Sequence, residues 1–200
     1  MKVILDDTLI ADAASCLSEA LQVGVEHAEA KGRVIVEASA DGHAIPGDLL
    51  EAPDARTFDA DEITLTSAEP RSLVHVTLMD AVDALEDGKA LQREVSSRFE
   101  VGETEQGIRH LQDLLEIWQT VQDVLDKSSR LLEIDLDAMA SVDVAARVEA
   151  LHQALEAVRT GVEQQDWSQV ADVVGYDLTD EAGAWQGLLR ALADAVRHGD

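Results

Sequence analysis

The period of the apolar residues changes at Pro70, and that change confines the chain to two kinds of architecture joined end to end. Ahead of it, β-branched clusters and turn residues follow one another at a period near two; behind it, apolar residues recur every three or four positions. Proline disfavours helical backbone at the residue before it, so no helix is expected to run through Glu69. The expected domains are residues 1–70, a small α+β module, and residues 71–200, an antiparallel bundle of four or five helices, meeting at SAEPRS. With 200 residues the chain can bury one full core or two small ones.

Ahead of Pro70, KVIL, then Asp6-Asp7, then TLIA reads as a tight hairpin. Small apolar residues at Ala13, Leu17, Ala20, Gly24 and Ala28 predict a helix over 13–31, with Gly32 as its C-terminal cap. RVIVEA follows as a strand ended by Asp41-Gly42, IPGDLLEAP as a helical turn, and EITLTSA as a half-buried strand alternating Ile63 and Leu65 with Thr64 and Thr66. Hairpin, helix, strand, short turn and final strand is an order that resembles the ubiquitin-like β-grasp fold over residues 1–68. The resemblance implies a fold and no activity, since one fold hosts many functions. No Gly-Gly tail is available for conjugation, because the chain continues directly into EPRSLVHVTL. A ferredoxin-like or other small α+β sheet is the competing shape.

Beyond Pro70, Leu78, Ala81, Leu85, Val95 and Phe99 mark one long helix that Gly102 closes. The next, over 104–133, carries two seams: Ile108, Leu111, Leu115, Trp118 and Leu125, and beside it Leu114, Ile117, Val121, Val124 and Leu131. A helix apolar on two sides is central in a bundle or covers a partner. A third helix has Val148, Leu151, Leu155, Val158 and Val162, and the last has Trp185, Leu188, Leu189, Leu192 and Val196, preceded by the amphipathic turn DWSQVADVV. The stretches starting at Ala90 and Ala154 each hold a helix, a polar hairpin, an amphipathic segment and a tryptophan; internal duplication and chance similarity both account for this.

The charge excludes more than it selects. There are 41 acidic residues against 15 Lys and Arg, a net −26, spread over both halves of the chain and not gathered in a tail. The expectation is a solvated acidic coat, with a mimic of nucleic acid as the alternative. Direct nucleic-acid binding is disfavoured, because phosphate recognition needs basic clusters that are absent. No apolar run approaches the ~20 residues a membrane-spanning helix needs, and Asp6 interrupts the start, so a cytoplasmic protein is expected. Cys16 is the single cysteine, which rules out an intrachain disulfide; Ala13, Leu17 and Ala20 around it suggest a small buried thiol.

Candidate chemistry is thin. Glu149 and His152 sit three apart, the spacing of half a di-metal centre, but no second Glu-x-x-His follows residue 72: Ser72, Gly107 and Ala195 stand three before His75, His110 and His198. The pair reads as a polar helix edge, and no metal or other cofactor is expected. His110, Asp113 and Glu116 share a stripe that reads as a solvated strip. DLDAMASVDVAA from Asp135 has calcium-loop flavour, yet Ala140 and Ala146 stand where glycine and a bidentate glutamate are required. No phosphate-loop, dinucleotide, nucleophile-elbow, HExxH or CxxC motif occurs. The expectation is therefore a non-enzymatic protein–protein interaction module, an adaptor or a chaperone-like binder. In charge, size and helix content it resembles the small acidic helical chaperones of bacterial export systems. The alternatives are a structural subunit of a larger assembly and an inhibitor that mimics nucleic acid. Tyr176 and Trp185, flanking GYDLTDEAGAW read as a loop, are the residues expected to border a protein partner's site.

Overall fold

A computed structural model describes residues 1–54, 58–133 and 143–198. The chain is α+β and clusters into two compact units, Met1–Leu73 and Val74–Asp200.

In the first unit, β1 (Lys2–Leu5) and β2 (Thr8–Ala11) form the hairpin. Asp6 and Asp7 make its turn with φ of 47 and 60, the left-handed pair that a two-residue turn matched to strand twist requires. Helix α1 (Leu17–Glu29) turns Leu17, Ala20, Gly24 and Ala28 inward. Gly24 is fixed by packing: a Cβ there would fall 2.0 Å from Leu65 Cδ1, so the helix lies this close to the sheet because position 24 has no side chain. β3 (Val34–Ala40) leads through Asp41-Gly42 to the short β4 (His43–Ala44), then α2 (Gly47–Glu51) and β5 (Glu62–Ala68). The strands lie in the order β2-β1-β5-β3-β4, with β1 and β5 parallel and the other neighbours antiparallel. Val3, Leu5, Ile63 and Leu65 fill the inner face against Leu17 and Ala20.

A polar clamp ties three segments of this unit together. The Asp6 carboxylate accepts from the Ser67 amide (2.8 Å) and hydroxyl (2.6 Å), and Arg33 Nε donates to that same hydroxyl at 2.7 Å. The Ser67 hydroxyl and amide, helped by the Arg33 guanidinium, hold Asp6 below the usual carboxylate range. Cys16 corrects the expectation made for it: α1 begins at Leu17, so Cys16 is the residue before the helix and its thiol is exposed.

Among the described residues the second unit holds α3 (Pro70–Glu100) from Val74 onward, its first four residues belonging to the first unit, then α4 (Thr104–Leu132), α5 (Val144–Gln164), α6 (Trp167–Asp172) and α7 (Leu178–His198). Pro70 holds the first helical position, where its missing N–H is no loss. The Glu69 carboxylate just ahead accepts from the Ser72 hydroxyl (2.7 Å) and amide (2.8 Å). Contacts running in opposite directions make neighbours antiparallel. Glu94 and Ile117 mark α3 against α4, through His110 (3.7 Å) and Gly88 respectively. Along α3 and α7, His75 Nδ1 meets the Ala193 carbonyl at 3.0 Å while Gln92 donates to the Leu178 carbonyl at 3.0 Å. Trp118 and Trp185 meet edge to face at 6.0 Å in the core, and Trp167 stacks on Phe99 at 5.3 Å.

Two expectations for the helices need correcting. Helix α4 has one broad buried face, Leu111, Leu114, Trp118, Val121, Leu125 and Ser128, while Leu115 and Leu131 stand in solvent. The stretch read as a loop before Trp185 is helical. From Trp167 to His198 the backbone coils without a break, through a π-helical turn at Val173–Asp177.

Candidate functional site

The π turn is the place where a side chain leaves the pattern of the fold. Leu178 donates its N–H to the Val173 carbonyl, five residues back, which widens the coil by one residue. Helix α3 holds this turn from the inside. Gly175 packs on Ser96, where a Cβ would lie 2.8 Å from the Ser96 hydroxyl oxygen. Gln92, 1% exposed, donates from Nε2 to the Leu178 carbonyl and accepts at Oε1 from the Thr179 hydroxyl at 3.2 Å. Val173 and Val174 stay buried on that side. Tyr176, in the same turn, emerges on the other side.

Tyr176 is the chain's one tyrosine, and it is 69% exposed. Tyrosine is intermediate in how often a fold buries it, and exposed here it leaves a rigid ring and a polar tip open to contact. Its ring stands at a hollow of about 600 Å³ lined by Asp166, Ser168, Gln169, Asp172 and Asp177. Asp166 is already engaged, capping α6 by accepting from the Gln169 amide at 3.0 Å. Asp172 and Asp177 are exposed and make no ion pair among the described residues, and no basic side chain lines the hollow. A second hollow, of about 400 Å³, adjoins it between α5 and α7 and again includes Asp177, with Asp180, Glu181 and Gln153.

The two residues expected to border a partner site are thus divided by the fold. Tyr176 is presented to solvent. Trp185 is fully enclosed, packed edge-on to Trp118, and its ring closes the floor of a hollow between α4 and α5. A residue with no exposed area touches no partner while the helices stay closed, so Trp185 serves the core. What drew attention to both was a loop that is in fact helix. The aspartates at 166, 172 and 177 were missed, because single aspartates on a polar helix face carry no local signal. The clue was Tyr176 falling off the apolar series Val170, Ala171, Val173, Val174 and Leu178.

The remaining candidates stay apart. Glu149 accepts from Gln153 at 2.9 Å and His152 is exposed; among the described residues no group of three or more His, Cys, Asp or Glu is placed to hold a metal ion. His110 leaves its expected solvated strip, its ring half-buried and turned toward Glu94 of α3, while Asp113 and Glu116 are exposed. Most of the calcium-loop-like stretch from Asp135 lies outside the described residues. No described helix is long and apolar enough to cross a membrane.

Fold and surface together define an α+β chain whose helical unit carries one exposed aromatic in acidic surroundings. Residues 77–188 match the model of a family described as Domain of unknown function (DUF8042), and the chain belongs to that family. No curated protein and no solved structure matches the chain.

Proposed function

We propose that this chain is a non-enzymatic protein–protein interaction module of the cytoplasm, an adaptor or chaperone-like binder, with the surface around Tyr176 as its contact site. The observation that carries the reading is Tyr176 itself: an aromatic held 69% in solvent by a π turn that α3 buttresses from within. Tyrosine is a favoured contact residue because it offers a rigid apolar ring and a polar tip at small entropic cost. The acidic lining of the hollow favours a protein partner over nucleic acid, whose phosphates the carboxylates would repel. For the first unit we propose the β-grasp fold. The supporting observation is that the first and last strands pair in parallel at the centre of the sheet, with α1 laid across the inner face.

The test is capture from a lysate of the source cells by full-length wild type and Tyr176→Ala in parallel, at ~0.15 M salt and at several-fold higher salt. The proposal expects a protein retained by the wild type and reduced by the substitution. An identical set of proteins on both would count against it.

A further inference from the structure

The partner's chemistry can be read from the same surface, and this step rests on the interaction reading above. The hollow at Tyr176 is lined by two exposed carboxylates, Asp172 and Asp177, that make no ion pair among the described residues. Tyr176 follows Asp172 by four positions and adjoins Asp177, so all three stand within about one turn. The Tyr176 hydroxyl has no hydrogen-bond partner among the described residues, and Ser168 and Gln169 add neutral polar groups at the rim. Such a surface disfavours an acidic or purely apolar occupant. A planar cation, by contrast, lies over a tyrosine face while its N–H groups reach the flanking carboxylates.

We infer that the hollow around Tyr176, Asp172 and Asp177 receives an arginine-bearing basic segment of a partner protein, with a guanidinium stacked on the Tyr176 ring and paired to the two carboxylates. Charge complementarity selects the occupant. The general field of a chain of net charge −26 draws cations to every face, and it cannot by itself distinguish this hollow from the rest. The ring makes the difference, because it gives a guanidinium a planar surface that the remaining exposed carboxylates lack. Arginine fits better than lysine for the same reason: its fork is flat, weakly hydrated and able to bond both carboxylates at once.

The sequence supplies a clean reporter, since its single tyrosine gives one ring signal in a protein labelled with 13C-tyrosine. The probe is a short capped peptide of alternating arginine and glycine, compared with the same peptide bearing citrulline, at ~0.15 M salt. The arginine peptide is expected to move the Tyr176 ring signal saturably and the citrulline peptide to leave it in place. Measured by titration calorimetry, which needs no tyrosine signal, Tyr176→Ala should weaken the peptide about two- to five-fold, and D172N/D177N about three- to ten-fold. D113N/E116Q, which removes equal charge from the outer side of α4, should change affinity by less than either. Equal weakening by the two double variants would assign binding to the general field and overturn the inference. So would an unmoved ring signal. If a lysate partner depends on Tyr176 while the arginine peptide leaves the ring undisturbed, the interaction role stands and the basic-segment inference falls.

Discussion

Replacing Gln92 by leucine tests whether α3 really holds the π turn. The amide makes two inter-helix bonds, to the Leu178 carbonyl at 3.0 Å and from the Thr179 hydroxyl at 3.2 Å, in a site 1% exposed. Each is worth about 0.5–1.5 kcal/mol net, so their loss sums to about 1–3 kcal/mol. Leucine fills most of the vacated volume and removes the cost of burying an amide, while the Thr179 hydroxyl keeps a long contact to the Val174 carbonyl at 3.5 Å. A net loss of about 1–2 kcal/mol follows. At a denaturant slope of about 2 kcal/mol/M, the urea midpoint of the helical unit drops by about 0.5–1 M. Hydrogen exchange gives the sharper reading: amides over 174–179 should lose protection beyond the global drop, while those over 186–196 follow the global drop alone. Combining Gln92→Leu with Thr179→Val should yield less than the sum of the two effects, because they share one bond. A Gln92→Leu protein with unchanged midpoint and unchanged exchange would refute the idea that this bridge fixes the turn.

Removing the Trp118 side chain, buried at the centre of the helical core, should cost that unit about 3–5 kcal/mol in denaturant melts. Gly24→Ala places a methyl 2.0 Å from Leu65 Cδ1 and should destabilise the sheet unit by about 1–3 kcal/mol, read by calorimetry, with the helical unit's transition unmoved. The melting temperature should rise with salt, because carboxylates repel within a Debye length of ~30 Å at 0.01 M but ~8 Å at 0.15 M; melts identical at both would mean that the acids are paired or well spaced. Acidification from neutrality toward pH 5 should also stabilise at first, as repulsion eases. Below about pH 4 the trend reverses, since Asp6, bonded by Ser67, and Glu86, bonded by Lys89 and Gln186, are held under their unfolded values and lose that stabilisation as they protonate. Asp6→Asn should flatten the acid limb of the sheet unit's stability curve, whereas an unchanged limb would show that the clamp adds nothing.

How far the fold can be read from sequence depended on whether the signal was local. Asp6-Asp7 announced a two-residue turn because aspartate tolerates the left-handed backbone found there, and the alternation of EITLTSA matched β5 from Glu62 to Ala68. The error on α4 came from splitting one wide face into two seams. Residues three and four apart share an arc, and burial of that arc depends on which helices flank it, which the sequence does not state. Gly175-Tyr176-Asp177 looked like a loop because glycine and aspartate are turn residues. Here the glycine answers instead to Ser96, 79 residues away along the chain, and the turn's exit at Leu178 is bonded by Gln92, 86 residues away. Tyr176 stands out in the sequence as an aromatic flanking the stretch read as a loop. Its acidic neighbours do not, because Asp166 and Asp172 join the same hollow only once the segment is known to be one continuous helix.

The parallel pairing of β1 with β5 governs how the first unit answers to force. Lys2 lies beside Glu62 and Leu5 beside Leu65, so the chain enters the sheet at one end of this pair and leaves it, at Ala68, beyond the other. A pull on the amino terminus against residue 68 drags the two strands past each other lengthwise. Their hydrogen bonds then share the load and must fail together, where a hairpin pulled from its open end would unzip bond by bond. The sheet is thus a stiff element in the line of tension: whatever hauls on its two ends meets a mechanical fuse that holds until the central pair shears as a whole.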